Sequence, residues 1–136
     1  MRRYLLDTGI AGLYVARRDP VHARVREESR RGNVVGICTP VLAELHYGAE
    51  NSASRDRSLQ KLRISLPSLR VWPLTDTAAE EYGRISAELR RIGRPMQQID
   101  RLIAAIARTL GNCTVVSSDS DLLAIPGLAV ENWSLA

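Results

Sequence analysis

Short, continuously apolar segments alternate with helical stretches along the chain, and this alternation restricts the fold more than any other feature. Strands are predicted at residues 4–6, 34–38, 69–74, 113–117 and 128–130. Helices are predicted at residues 20–31, 40–49, 54–66, 77–92 and 99–110. The strands are too short and too uniformly apolar to be half-exposed and antiparallel, so we expect burial on both faces. The pattern predicts an α/β domain with a parallel sheet.

Local signals mark several helix ends. Thr39 is a candidate cap with Pro40 at the first helical position. The segment from Thr77 to Glu80 fits a capping box, and Gly111 is expected to end the last helix. The helix at 77–92 carries an apolar stripe of Ala78, Tyr82, Ile85, Leu89 and Ile92. The helix at 99–110 is almost wholly apolar, which indicates a central position.

The length of 136 residues fits one domain over residues 1–136. No segment approaches the roughly 18 consecutive apolar residues that span a membrane. The start of the chain lacks the pattern of a secretory signal, so we expect a cytoplasmic protein without membrane association.

Basic residues outnumber acidic ones, 19 to 15, and Lys61 is the only lysine among them. Arginine binds phosphate through a planar fork, so an acidic polymer is a plausible partner. The alternative is that these arginines only keep the surface soluble. Two Trp, four Tyr and no Phe are too few for a base-stacking platform, so phosphate contacts should dominate any binding of nucleic acid.

Cysteine and histidine give no sign of a metal or catalytic site. Cys38 and Cys113 lack the spacing of a metal or redox motif and are predicted to be buried free thiols. His22 and His46 share no metal-ligand spacing, and His46 is expected on an ordinary helix face.

The triplet Asp7-Thr8-Gly9 occurs in aspartic proteases, where each Asp faces a symmetry-related twin. Such proteases are built almost entirely from β-strands, whereas more than half of this chain has helical patterns. Asp7 instead follows the first predicted strand, at the carboxyl edge where open α/β sheets gather their ligands.

Most acidic residues have simple structural explanations. Five glutamates lie among arginines on charged helix faces, and solvated faces account for them: Glu27, Glu28, Glu80, Glu81 and Glu88. Asp19 and Asp76 suit a turn and a helix start.

Four acidic residues resist such an explanation. Asp7 and Asp119 follow predicted strands, with Asp121 two residues further on. Glu44 and Asp100 lie on helix faces that are expected to point inward. Buried carboxylates are costly unless they are paired or bind a cation, and converging carboxylates raise one another's pKa values. Hard oxygen ligands suit Mg²⁺ or Mn²⁺, which activate water for attack on a phosphodiester.

Each acid also has an alternative role. Asp7 and Asp100 could cap the helices that follow them, and Asp119 could initiate the turn before Asp121. The phosphoaspartyl phosphatases and receivers are another class with an Asp after the first strand. The phosphatases require a second Asp where Gly9 stands, and both require a lysine near a later strand, whereas Lys61 lies in mid-helix.

Four segments resemble the motifs of PIN-domain ribonucleases, specifically the VapC toxins of toxin–antitoxin modules. They are YLLDTGI (4–10), TPVLAELHYGA (39–49), IDRLIAAIARTLG (99–111) and TVVSSDSDLLAIPGLAVENW (114–133). The resemblance implies a three-layer α/β/α sandwich with a central, mainly parallel sheet of four or five strands. It also implies Mg²⁺-dependent cleavage of RNA such as tRNA or rRNA, inhibition by a VapB-like antitoxin, and a homodimer.

Residue roles follow from the same resemblance. Asp7, Glu44, Asp100 and Asp119 are implied as the catalytic carboxylates. Asp7, Asp100 and Asp119 are implied as metal ligands, with Glu44 and Asp121 as further ligands, directly or through water. Thr8, which would help to orient Asp7, and Ser117 are implied as supporting residues.

The chain departs from the motifs at two positions. Gly9 stands where Asn is usual, which allows lower activity and leaves open a PIN-fold binding module with weak or no catalysis. Leu122 stands where an aromatic residue is common, which we interpret as a packing change.

Overall fold

A single parallel sheet of five strands forms the centre of the computed structural model, which describes residues 1–135. The strands are β1 (Arg3–Leu6), β2 (Val34–Cys38), β3 (Arg70–Trp72), β4 (Cys113–Val116) and β5 (Ala129–Glu131). They lie in the order β3-β2-β1-β4-β5, and all four neighbouring pairs are parallel. The predicted parallel α/β architecture is confirmed.

Six α-helices flank this sheet. They are α1 (Thr8–Val15), α2 (Val21–Arg30), α3 (Thr39–Glu50), α4 (Arg55–Ser65), α5 (Asp76–Arg91) and α6 (Gln98–Leu110). Short 3₁₀ helices cover Leu66–Ser68 and Ser120–Ala124. Helix α1 was not predicted, because its sequence TGIAGLYV is apolar nearly all round and contains two glycines. The nearly apolar helix α6 lies in the core, with Ile103, Ala104 and Ile106 buried.

Both edge strands are more exposed than predicted, and β3 is also shorter, whereas β5 keeps its predicted length and is shifted by one residue. Strand β3 ends at Trp72 because Pro73 has no N–H to donate to a sheet. Two of its three residues are exposed, and Ala129 in β5 is exposed as well. Burial on both faces therefore holds for the inner strands but is wrong for the edges, where one neighbour is missing.

Two predicted helix caps are wrong. Helix α3 begins at Thr39 itself, and the Thr39 hydroxyl accepts a hydrogen bond from the Leu74 N–H at 3.3 Å. Helix α5 is capped by Thr75, whose hydroxyl accepts from the Ala78 N–H at 3.1 Å. Spacing alone did not distinguish this cap from the competing one two residues later. Gly111, with a φ of 69°, ends α6 as predicted.

Glu28 is not on a solvated face. Its carboxylate is 2% exposed and accepts hydrogen bonds from Arg24 at 2.8 Å and Asn33 at 2.9 Å. Burial acts to raise the pKa of Glu28, but these hydrogen bonds and the charges of Arg24 and Arg31 outweigh it and lower that pKa. Arg24 also lies over the Trp133 ring at 4.8 Å, which joins α2 to the segment after β5.

Glu81 is likewise more enclosed than predicted, with Arg84 at 2.9 Å and Arg108 at 3.0 Å. These two arginines lower the pKa of Glu81. The ion pair with Arg108 crosses from α5 to α6, the two helices that pack against each other.

Both cysteines are free thiols, as predicted, although Cys113 is only half-buried. Burial raises the pKa of each thiol to about 11, so neither is a ready nucleophile at neutral pH. Over residues 1–135, no helix has the length and apolar character needed to cross a membrane.

Candidate active site

The sheet order reverses between β1 and β4, and this switch point carries the predicted acids. Leu6 of β1 lies opposite Val116 of β4, so the two strands end side by side. The Asp7 N–H continues the ladder by donating to the Val116 carbonyl at 3.0 Å. Asp7 and Ser117 therefore emerge together at the carboxyl edge, where open α/β sheets bind their ligands.

Asp7 has a structural role as well as a position at the switch point. Its Oδ1 accepts a hydrogen bond from the Ile10 N–H at 2.8 Å, so Asp7 caps α1, as one alternative foresaw. The residue is only 9% exposed. Burial raises its pKa, the Ser117 hydroxyl and the Ile10 N–H counteract that rise, and the charge of Asp119 adds to it.

Asp100 lies in the first turn of α6, is 8% exposed and makes no capping hydrogen bond. Burial first, and then the negative charges of four neighbours, raise its pKa to about 6. Those neighbours, in decreasing order of effect, are Asp119, Asp7, Asp121 and Glu44. The charges of these four acids thus all act on Asp100, and we name Asp7, Glu44, Asp100, Asp119 and Asp121 the acidic cluster.

The inward orientation predicted for Glu44 is wrong, since its side chain is exposed. Helix α3 buries Val41, but Leu45 and Gly48 on the same stripe border an open groove next to α1 and α4. Glu44 and Thr8 both line that groove, and Glu44 Oε1 accepts a hydrogen bond from the Thr8 hydroxyl at 2.5 Å. Thr8 therefore positions Glu44 in the structure, whereas the resemblance implied that it orients Asp7.

The segment after β4 forms the opposite wall of the cluster. Ser117 is buried, and its hydroxyl accepts a hydrogen bond from the Asp119 N–H at 2.9 Å. Asp119 is exposed, and its Oδ1 accepts from the Asp121 N–H at 2.9 Å, so it initiates the 3₁₀ turn as one alternative foresaw. Ser117 thereby orients the loop that carries the other two acids, at the end of the strand that pairs with β1.

The acidic cluster offers the kind of ligands that a divalent cation prefers, although its side chains are not gathered into a closed metal site. Among residues 1–135, Asp7, Glu44, Asp100 and Asp119 form no ion pair with Arg, Lys or His. Within the same residues, no three Asp, Glu, His or Cys side chains stand close enough to enclose a metal ion. Unpaired carboxylates that raise one another's pKa form a donor set that a hard cation such as Mg²⁺ or Mn²⁺ stabilises.

The two positions that depart from the motifs now have a structural context. Gly9 is exposed in the first turn of α1, and a Cβ atom added there would lie 3.8 Å from Asp7 Oδ1. A side chain at position 9 would therefore border the cluster without a clash. Leu122 is fully buried, which is consistent with a packing role.

Arg94 was not predicted as a site residue, although it lies next to the acidic cluster. Its Nη2 is 3.8 Å from Asp121 Oδ1. The only signal was its place in a Gly-Arg-Pro loop just before the motif that contains Asp100, and loops give no periodicity from which contacts follow.

Comparison with known proteins agrees with this geometry. A family model described as the PIN domain matches residues 4–128. The tRNA(fMet)-specific endonuclease VapC of Shigella flexneri is 33% identical over 134 residues, which cover 98% of this chain and all of the relative.

Two solved structures are similar along nearly their whole length. VapBC2 from Rickettsia felis, bound to a DNA fragment from its promoter, gives a TM-score of 0.89 at 29% identity and covers 96% of this chain and 98% of that one. DNA-bound VapBC from Salmonella typhimurium gives 0.86 at 32% identity, with coverage of 98% and 99%. The chain therefore belongs to the PIN-domain family, among its VapC ribonucleases.

Proposed function

We propose that this chain is a divalent-metal-dependent endoribonuclease, that it is the toxin of a toxin–antitoxin module in the cytoplasm, and that its substrate is tRNA. The acidic cluster at the switch point is the observation that carries the proposal, since four further carboxylates act on Asp100 and, within residues 1–135, only Asp121 has an arginine partner, Arg94. The relative from Shigella flexneri is named for initiator tRNA, which makes that RNA the first substrate to test.

Asp7, Asp100 and Asp119 would hold the ion, with Glu44 and Asp121 as further ligands, directly or through water. Mg²⁺ is the expected ion, and Mn²⁺ can replace it because both prefer oxygen ligands. When bound, the ion activates water and stabilises the charge that develops on the phosphodiester during an in-line attack.

The protein groups around the cluster position these oxygens. The Ile10 N–H and the Ser117 hydroxyl orient Asp7, while Thr8 orients Glu44 at the solvent edge. Protons compete with cations for carboxylate oxygens, and the pKa of Asp100 is about 6. Binding of the ion should therefore weaken as the pH falls below that value.

A direct assay tests the metal dependence. We expect initiator tRNA to be cleaved in Mg²⁺ or Mn²⁺, and cleavage to stop in EDTA and resume when the ion is returned. Gel analysis of labelled transcript measures this result, with an uncleaved unrelated RNA as the specificity control. Cleavage that persists unchanged in EDTA would show that the mechanism is wrong. If calorimetry detects no divalent binding by the folded protein and no RNA is cut, the alternative of a non-catalytic binding module is favoured.

Gly9→Asn is expected to raise cleavage by up to about tenfold, because an amide next to Asp7 would hold a carboxylate oxygen or a water in the cluster. The added side chain meets only an ordinary contact with Asp7. Initial rates at saturating Mg²⁺ measure the effect. Gly9→Ala is the matched control, since it adds the Cβ without the amide and should leave the rate nearly unchanged. Equal rates for both variants would contradict a role for the amide.

We also propose a VapB-like antitoxin as a partner and a homodimer as the assembled state. The solved relatives from Rickettsia felis and Salmonella typhimurium are described as VapBC. A groove of about 410 Å³ between α1, α3 and α4 offers a largely apolar surface, with Glu44 and Lys61 among its lining residues. A peptide segment with apolar side chains and one basic residue that reaches Glu44 would fit this groove.

Gly48→Arg should weaken antitoxin binding at least tenfold, because it puts bulk and charge into the groove. Nothing lies within 4 Å of a Cβ at Gly48, so the fold should tolerate it. Titration of the inhibition of cleavage measures binding, and Gly83→Arg on α5 is the control with equally open space. If both variants were inhibited at the antitoxin concentration that inhibits wild type, the groove would be excluded as the surface that binds the antitoxin. Light scattering tests the homodimer.

A further inference from the structure

A second site lies beside the acidic cluster, where the end of α5, the connecting loop and the start of α6 enclose a pocket of about 710 Å³. Arg90, Arg94 and Arg101 line it together with Leu89, Pro95 and Met96. We name it the arginine pocket. Its volume lies within the range of about 300–1,000 Å³ that is usual for small-ligand sites.

Arg101 is held in place within this pocket. Its Nη1 donates to the Ser86 hydroxyl at 3.0 Å, and its guanidinium lies over the Tyr82 ring at 5.2 Å. In residues 1–135, its Nε is a buried nitrogen without a hydrogen-bond partner. A buried donor without an acceptor is costly, so a small rotation that offered this edge of the guanidinium to a ligand oxygen would relieve that cost.

The pocket carries positive charge that the described chain does not neutralise. Arg90 and Arg101 form no ion pair within residues 1–135, and Arg94 reaches only Asp121, at 3.8 Å. Arg94 and Asp121 are each half-exposed, so their pairing is weak and easily exchanged. Three guanidinium groups around one cavity select an anion with several oxygens, and phosphate fits their forked geometry.

The arginine pocket is joined to the acidic cluster. Arg94 contacts Asp121, whose N–H donates to Asp119, and Arg101 follows Asp100 directly on α6. A strand that places one phosphate at the acidic cluster would therefore carry a neighbouring phosphate past the arginines. The apolar side chains of Leu89, Pro95 and Met96 offer a surface for the attached sugar or base.

We propose that the arginine pocket binds an RNA phosphate that flanks the scissile one, and so positions the strand for cleavage. This inference rests on the proposed ribonuclease function. Arg90, Arg94 and Arg101 hold the phosphate, and the apolar wall packs against its nucleoside. The contact is to the backbone, so it contributes affinity and register without selecting a base sequence.

Binding measurements without catalysis test the proposal. Fluorescence anisotropy of labelled initiator tRNA in EDTA, at several KCl concentrations, gives the affinity and its salt dependence. We expect Arg90→Ala and Arg94→Ala each to weaken binding about tenfold and to reduce the salt slope by about one. Arg91→Ala is the matched control, since Arg91 is an exposed neighbour on α5 that does not line the pocket. Arg101→Lys keeps the charge but removes the fork, and should lose several-fold in affinity.

The proposal is overturned if Arg90→Ala and Arg94→Ala bind tRNA with the affinity and slope of Arg91→Ala. It is equally overturned if the variants lose affinity for an antitoxin but not for RNA. If the wild-type protein bound tRNA through these arginines but did not cleave it, the proposed function would be contradicted. The binding role of the arginine pocket would still be supported. Cleavage by wild type at a rate that the pocket variants fully retain would contradict the pocket alone.

Discussion

Asp100→Asn is expected to abolish RNA cleavage and, in the same protein, to increase stability at neutral pH. The pKa of Asp100 is raised from 3.8 to about 6 by burial and by the four neighbouring acids. A carboxyl whose pKa is raised by folding stabilises the fold at pH values below its pKa in the unfolded chain. That contribution is lost as the pH rises through its pKa in the folded protein.

At pH 7 Asp100 is therefore ionised in the native state, and burial and the neighbouring charges make this ionisation cost free energy of folding. Asn is neutral at every pH and close in shape, so it removes the penalty. We expect Asp100→Asn to raise the free energy of unfolding by about 1–3 kcal/mol above pH 6, and by little below pH 4. Urea unfolding in EDTA across this pH range measures the difference.

The same substitution should lower the rate of cleavage although it raises stability, because Asn is a poor substitute for an anionic ligand. If the ion contributes several kcal/mol to the transition state, losing it lowers the rate on the order of 10³-fold or more. Asp7→Asn should lose activity similarly but change stability less, since Asn also caps helices well. Cleavage by Asp100→Asn within tenfold of wild type would contradict its assignment as a ligand. If the stabilities of wild type and Asp100→Asn changed with pH in the same way, the raised pKa of Asp100 would be contradicted.

Gly36→Ala is expected to destabilise the fold by about 3 kcal/mol or more, at the upper end of overpacking effects. Gly36 lies in β2, where a Cβ would stand 2.3 Å from the Arg70 carbonyl oxygen and 2.8 Å from the Trp72 ring. The first contact is with backbone that is paired in the sheet, so no side-chain rotation relieves it. Strand β3 would have to move away from β2.

Thermal or urea unfolding measures this loss, and Gly83→Ala is the matched control. Gly83 is an exposed position on α5 with nothing within 4 Å of an added Cβ. There the same substitution should stabilise the protein by roughly 0.5–1 kcal/mol, since Ala is the better helix former. Similar stability changes in the two variants would show that the close approach of β3 does not restrict position 36.

Helix and strand positions were largely predictable because local hydrophobic periodicity encodes them. The inner strands and α6 were located within one or two residues. Helix α1 was harder because it lacks a polar face. Exposure was less predictable where a helix borders a groove or another charged helix. Glu44 and Glu28 each lie on faces that the pattern assigned wrongly, since periodicity does not state what packs against a face.

The candidate site was also predictable from the sequence only in part. The sequence indicated Asp7, Asp100 and Asp119 because strand ends and buried helix starts are unusual places for carboxylates. It did not show that Ser117 joins Asp7 to the Asp119 loop, since that contact requires β1 and β4 to be neighbours. The arginine pocket was missed because its residues meet through the loop between α5 and α6, whose course no periodicity predicts.

By itself, the sequence determined that this chain builds a parallel α/β sheet and places acids at strand ends and in the first turn of α6, because these features depend on patterns within a few residues. Tertiary structure alone decided which acids meet around Asp100, that Glu44 faces solvent beside Thr8, and that Arg90, Arg94 and Arg101 share one cavity. The first two relations depend on the order of strands and the packing of helices, and so join residues that are far apart in the chain. The third depends on how the loop between α5 and α6 turns.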